Sequence, residues 1–348
     1  MTELNLFDIF QTVLGNNNII GAISSSLLII LLGFYLTKKK IFNDVVAKNL
    51  SLAVLTVALP ALSFNSFMQD IDSEKLLRGL TVLIWGFVIQ GSLIFLMKLY
   101  YAKYSGDKKQ ALVVLTTLGS TTFFGIPIIG AIYGAEGVLY ASIFNISYRV
   151  FLYSWGYISF SGLKMSTSNI KQMVLNPIIL ATFLGLFIWI FQDYLPHVQI
   201  GNKSYAFLRI DQTAFWLYKP MTYLSALASP LAWLAIGATL GQISLGEAFS
   251  NKTAWLYTIT KVMLVPILST VGLLIVNLFI PISFLSVAVS AIMMATPPAT
   301  VAVAYAIKFD REAITASNCS LVATVVAVFV IPCIILLLEI LKSIHLFN

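Results

Sequence analysis

Residues 119–134 read GSTTFFGIPIIGAIYG, and residues 291–306 read AIMMATPPATVAVAYA. Each is an apolar run interrupted near its middle by proline. Proline withholds an N–H from the helix ladder and its ring clashes with the preceding turn. A break is therefore expected near Gly125-Ile126-Pro127 in the first run and near Thr296-Pro297-Pro298 in the second. Inside a bilayer, broken backbone persists only where protein buries it or a watery cavity reaches it. Two such breaks in corresponding places point to a ligand site.

The surrounding chain sets these runs in a membrane. Of 348 residues, 59% are hydrophobic and only 10% charged, with a mean hydropathy of +0.92, which excludes a water-soluble globular domain. Apolar runs of spanning length lie at about 19–37, 45–69, 76–102, 110–133, 137–162, 172–193, 213–241, 252–279, 284–307 and 312–341. The expected fold is an all-α integral membrane protein with ten transmembrane helices. Residues 1–18 lack the basic stretch of a signal peptide, and Leu6, Phe7, Phe10, Val13 and Leu14 share one helical face, so an N-terminal interfacial segment is expected there.

Net charge +7 could suggest a nucleic-acid partner, but the basic residues cluster between apolar runs, where membrane topology accounts for them and no nucleic acid is expected. With the N-terminus outside, thirteen Lys and Arg fall in inner loops and six in outer ones. Both termini are then outside a multi-pass protein of the cell membrane. The prolines repeat the division: Pro60 and Pro127 are 67 residues apart, as are Pro230 and Pro297. An odd number of spans per half makes the second half enter from the opposite side, an inverted repeat of the kind found in secondary transporters. Repeat 1 covers 19–162 and repeat 2 covers 172–342.

The acids all lie in loops, tails or span ends, which disfavours coupling through a buried carboxylate. His197 and His345 fall in a loop and the tail, leaving no parts for a metal site or histidine catalysis, and no cofactor is expected. Cys319 and Cys333 lie on one helix roughly 21 Å apart and cannot bridge.

Arg149 is the exception among charged residues. It lies about twelve residues from either end of its span, or ~18 Å, too deep to snorkel, and a central arginine costs about 2.5–3.5 kcal/mol on insertion scales. A guanidinium fits a carboxylate in a planar fork, so an anionic substrate is one reading. A strut for carbonyls freed by the broken helices is the other. Asn145 shares its helical face at i, i+4 and can meet the same ligand.

Helix starts at the breaks aim N–H groups at the midplane. Ser120, Thr121 and Thr122 add hydroxyls before the first break, and Thr296 and Thr300 flank the second. These suit carboxylate oxygens, although such hydroxyls often bond their own helix. Asn65 is a further candidate, or binds loop backbone. Lys261, ~13 Å from its span end, is expected to snorkel. Pro60, Pro230 and Pro266 are expected to be kinks.

At LLGFYLTKKKIF, KNLSLAVLTVALPALSFNSF, FFGIPIIGAIYGAEGVLYASIFN and MMATPPATVAVAYAIKFDREAITAS the chain resembles the auxin efflux carrier family, which includes plant auxin exporters and bacterial malate permeases. The resemblance implies two inverted five-helix repeats whose broken helices cross at segments four and nine. It also implies an elevator-like movement of a transport domain, segments three to five and eight to ten, against a scaffold of one, two, six and seven. Relatives usually carry an asparagine where Ser120 stands, often another where Val301 stands, and a neutral amide at Arg149. The candidate ligand set is thus Arg149, Asn145, Ser120, Thr121, Thr122, Gly125, Pro127, Thr296, Pro297, Pro298, Thr300 and Asn65.

The function expected is secondary transport of a small malate-like carboxylate by alternating access, with membrane lipid and a homodimer through the scaffold helices as further partners. A carrier of amino acids or other neutral or zwitterionic solutes is the alternative, and a ligand-binding membrane sensor a third. A channel lacks a charged ring, and an enzyme lacks a nucleophile and base.

Overall fold

A computed structural model describes residues 17–162, 175–242 and 245–343. Most of the interfacial segment expected at 1–18, the loop holding Lys164 and Lys171, the start of the sixth predicted span and His345 lie outside them. The described residues are mostly helical. Among the described residues, seven helices are long and apolar enough to cross a membrane: Val45–Ser66, Ser73–Tyr100, Thr121–Ser161, Pro177–Tyr194, Phe215–Gln242, Lys252–Asn277 and Ala313–Ser343. Two shorter apolar helices, Ile23–Lys38 and Phe284–Ala295, accompany them.

In chain order the helices are α1 (Asn17–Lys38), α2 (Asp44–Ala53), α3 (Leu59–Ser66), α4 (Ser73–Tyr100), α5 (Gly106–Thr117), α6 (Ile126–Phe151), α7 (Tyr157–Ser161) and α8 (Pro177–Phe191). An antiparallel hairpin follows, β1 (His197–Ile200) and β2 (Lys203–Ala206), with His197 opposite Ala206. Then come α9 (Ile210–Thr213), α10 (Phe215–Ala226), α11 (Ala228–Gln242), α12 (Leu245–Ser250), α13 (Lys252–Ile259), α14 (Val265–Asn277), α15 (Phe284–Ala295), α16 (Thr300–Lys308) and α17 (Ala313–Ser343). Several starts are written locally. Asn43, Asp72, Asn251 and Ser283 each accept a hydrogen bond from a backbone N–H of the helix they precede, satisfying donors that a first turn leaves unpaired.

Three prolines behave alike. A wide π turn spans Val54–Ala58, Thr121–Gly125 and Thr260–Leu264, and each ends two residues before a proline: Pro60, Pro127 and Pro266. In each, the residue before the proline donates five residues back, Leu59 to Val54, Ile126 to Thr121 and Val265 to Thr260. The extra residue shifts the ladder so that the missing N–H and the ring are absorbed without ending the helix. These prolines kink and do not break.

That corrects the first expected break. Gly125 is helical, at φ −68° and ψ −54°. The helix instead ends at Leu118, whose φ of −102° and ψ of 106° are extended, and resumes after Ser120. The second break lies where two successive prolines put it, with Thr296 at ψ 148° and Ala299 at ψ 123°. Within Thr121–Ser161, Gly134 at φ 62° and ψ −151° turns the chain, so the run is two helices joined at a left-handed glycine.

Two sets of helices pack closely. Along one, α1 lies against α11, α8 and α10 against α3, and α2 against α11. Its tightest point is glycine-mediated: a Cβ on Gly237 would strike the Ile30 carbonyl, and one on Gly33 would strike that of Leu234. Small residues let backbones approach where lipid supplies no hydrophobic drive. Along the other set, α4 and α15 pack on α6, α14 on α15, and α13 and α16 on α17. Ser63 joins the sets, bonding Ser142 at 3.0 Å and Thr182 at 2.8 Å.

Beyond the spans, buried Arg209 ties three segment ends together, donating to Asp70 at 2.9 Å, to Gln192 at 2.7 Å and to both oxygens of Asp211. Burial alone would lower its pKa; the hydrogen bonds and charges of Asp211 and Asp70 outweigh that and hold it above the ordinary arginine value.

Candidate functional site

The two breaks meet. Gly119 pairs with Pro298 as an isolated antiparallel bridge. Ser120 N–H donates to the Pro297 carbonyl at 2.7 Å, and Ala299 N–H to that of Leu118 at 2.9 Å. Each break thus satisfies backbone groups that the other leaves open, as the low dielectric requires. Gly119 is obligatory here, since a Cβ would strike the Thr296 hydroxyl and come within 3.1 Å of Lys261 Nζ.

The junction has two electrically different ends. Helices α5 and α15 arrive with their C-terminal, partly negative ends. The helices beginning at Thr121 and Thr300 leave with their N-terminal, partly positive ends. Neither start has a side-chain cap, the preceding residues being Ser120 and Ala299.

A cavity of about 120 Å³ opens at these starts, walled by Ser120, Thr122, Arg149, Asn176, Thr300 and Val301 among others. It shares Leu55, Ser120, Phe123 and Thr300 with a cavity of about 510 Å³ that also touches Pro297 and Pro298. The larger space runs past Ser51, Thr239, Val303 and Ser317. Of these, Thr239 and Ser317 lie near the ends of α11 and α17 that lead to the basic stretches at 252 and 308–311, whereas Ser51 and Val303 lie nearer the opposite ends of α2 and α16.

Arg149 is 9% exposed, and its Nη2 donates to Thr122 Oγ1 at 3.5 Å. No carboxylate pairs with it among the described residues. A third helix start joins the wall: Asn176 caps α8, its Oδ1 accepting from Ile178 N–H at 3.0 Å and Ile179 N–H at 3.4 Å. Asn176 was not among the sequence candidates. Its signal was present, an asparagine followed by proline at the first helical position.

The expected residues divide. Ser120, Thr122, Thr300 and Arg149 line the smaller cavity, as does Val301. Pro297 and Pro298 line the larger one. Asn145 does not line Arg149's cavity: it is buried and its Oδ1 accepts from Thr121 Oγ1 at 2.6 Å, bracing the π turn Thr121–Gly125. Thr296 is buried and donates to the Met293 carbonyl at 2.8 Å. Gly125 packs on α15, where a Cβ would lie 2.6 Å from Met293 Sδ. Pro127 offers its carbonyl to Ser229 at 2.8 Å. Asn65 reaches Ser225 at 3.4 Å and lines neither cavity.

Lys261 overturns the expectation of snorkelling. It is fully buried within the π turn Thr260–Leu264, and its Nζ has no hydrogen-bond partner. It lies beside Gly119 at the junction, on the side where α5 and α15 end. The π turn and the packing around it aim the side chain inward, whatever its distance from the span end.

The sequence profile of the family described as "Membrane transport protein" matches residues 18–335. An uncharacterized transporter of Methanothermobacter thermautotrophicus is 24% identical over 315 residues, covering 88% of this chain and 94% of that protein. An uncharacterized transporter of Methanocaldococcus jannaschii is 22% identical over 220 residues, covering 62% and 66% respectively. The chain therefore belongs to the membrane transport protein family, which is the auxin efflux carrier family that its motifs resemble.

Proposed function

We propose that this membrane transporter is a secondary carrier of a small organic anion of the malate type, bound at Arg149 where the broken helices cross. One observation carries the reading: three helix starts and a guanidinium converge on a single cavity, and no carboxylate among the described residues neutralises them. Positive helix ends repel a buried cation, so the arrangement is uncompensated until an anion enters. Ser120, Thr122 and Thr300 add hydroxyl donors, and the bare N–H groups at the two uncapped starts complete the cradle.

The architecture proposed is ten transmembrane segments in two inverted repeats, the third to fifth and eighth to tenth moving as a body against the first, second, sixth and seventh. The helices pack more extensively within each set than between the two, which supports that division. The large cavity extends toward the lysine-rich ends, which with both termini outside makes this an inward-open arrangement. A homodimer through the scaffold helices completes the proposal. Flux of radiolabelled malate into proteoliposomes, with Arg149→Ala beside the unaltered protein, tests the site. Equal anion transport by the variant defeats it.

A further inference from the structure

The moving body proposed above, α4 to α7 with α13 to α17, holds two deep cations and, among the described residues, no deep anion. Its other charged residues stand toward the ends of their spanning runs or, for Glu136, beside the Gly134 turn. There Arg78 pairs with Glu74 and Glu136, and Arg311 with Asp107. Arg149 and Lys261 differ: Lys261 is nine residues from Lys252, the nearer end of its run, and Arg149 is twelve from Ser161. Neither has a carboxylate partner among the described residues. Lys261 lines neither cavity of the anion site, so its charge reaches a bound solute only through space. An unpartnered buried ammonium costs stability against an apolar chain of similar length. A cost of that kind inside a membrane marks a group whose charge serves function.

We propose that Arg149 and Lys261 together set the charge of the solute and the mode of transport. A dicarboxylate in its dianionic form neutralises the interior of the moving body, and the protein exchanges one such dianion for another. The inference rests on the anion site and the moving body proposed above and deepens both. With a dianion bound, the deep charges cancel; with a monoanion, one positive charge is left over; with nothing bound, both are. Carrying an uncompensated charge through the hydrocarbon region is unfavourable, the more so the larger the charge. The loaded body therefore crosses readily and the empty body returns slowly. Arg149 enters this balance by touching the solute. Lys261 enters it from the far side of the junction, where the partly negative ends of α5 and α15 favour a cation.

The test is uptake of radiolabelled malate into proteoliposomes loaded with unlabelled malate, with lactate, or with no organic anion, valinomycin and equal potassium abolishing the membrane potential. Internal malate accelerates uptake about tenfold over empty vesicles, and lactate, a monoanion, accelerates it far less. Lys261→Met removes one of the two deep charges. Uptake into empty vesicles then rises about tenfold, and internal lactate overtakes internal malate as the better exchange partner. Malate affinity and the melting temperature stay close to those of the unaltered protein. A lysine that served packing alone would move the melting temperature and leave these ratios as they were. Equal uptake by the unaltered protein into malate-loaded and empty vesicles overturns the proposal without recourse to the variant, and so do unchanged ratios in Lys261→Met. No malate uptake under any loading defeats the malate carrier and this inference with it, whereas rapid uptake into empty vesicles defeats only the exchange.

Discussion

Arg149 and Lys261 are the two cations that the sequence places within apolar spans, and the fold treats them oppositely. Arg149 borders a cavity at the N-terminal ends of three helices, where the local field is positive and no carboxylate among the described residues offsets its charge. Lys261 is sealed beside Gly119 and Thr296, where α5 and α15 end and the field is negative. An ammonium there gains from the helix ends part of what burial removes. In the function proposed, two buried charges on either side of one junction divide the work: one awaits an anion, and the other is part of the frame.

The contrast is breakable. Removing the Arg149 guanidinium takes away the charge that an anion would pair with, a loss of about 2–5 kcal/mol for a buried pair. Arg149→Ala should therefore weaken the anion about a hundredfold in a ligand-induced thermal shift, while the ligand-free protein melts no lower. A drop in ligand-free stability would instead make Arg149 a strut. Gly119→Ala drives a methyl into the Thr296 hydroxyl and toward Lys261 Nζ, and overpacking of this kind costs about 1–3 kcal/mol. Its thermal unfolding midpoint should fall clearly, and an unaltered midpoint would mean that the breaks do not touch.

Smaller effects sharpen the picture. Asn176→Ala removes the cap of α8 and about 1 kcal/mol of stability. It should also reduce anion affinity a few-fold by loosening the cavity wall, read by titration calorimetry. Smallest of all, Lys261→Met replaces an unpartnered ammonium by a neutral chain of similar length, which removes a desolvation cost. Anion affinity should stay within about threefold and the melting temperature should not fall. A tenfold loss of affinity would merge the two cations into one site.

Legibility varied residue by residue. Pro297-Pro298 disclosed the second break, because two adjacent residues without N–H groups cannot sit inside a helix. Pro127 misled, because the preceding π turn absorbed it and moved the break to Leu118–Ser120. Arg149 was found by its depth alone. The same measure failed for Lys261, because snorkelling depends on which way the side chain leaves the helix. Asn145 shares Arg149's helical face, but its Oδ1 accepts from Thr121 and its buried Nδ2 has no partner; periodicity specifies a face and not what fills it.

By itself, the sequence determined that this is a membrane protein, roughly where its helices run, that two apolar runs are interrupted, and that a cation lies deep in one span. Each follows from hydropathy, residue chemistry and helical rise, which act over a few neighbouring residues. Only the tertiary structure decided that the breaks bond each other through Ser120, Pro297, Leu118 and Ala299. It also decided that Asn176 joins Arg149 and that Lys261 turns inward. Those outcomes depend on groups between tens and nearly two hundred residues apart, whose unpaired polar atoms find partners only when the helices are packed together.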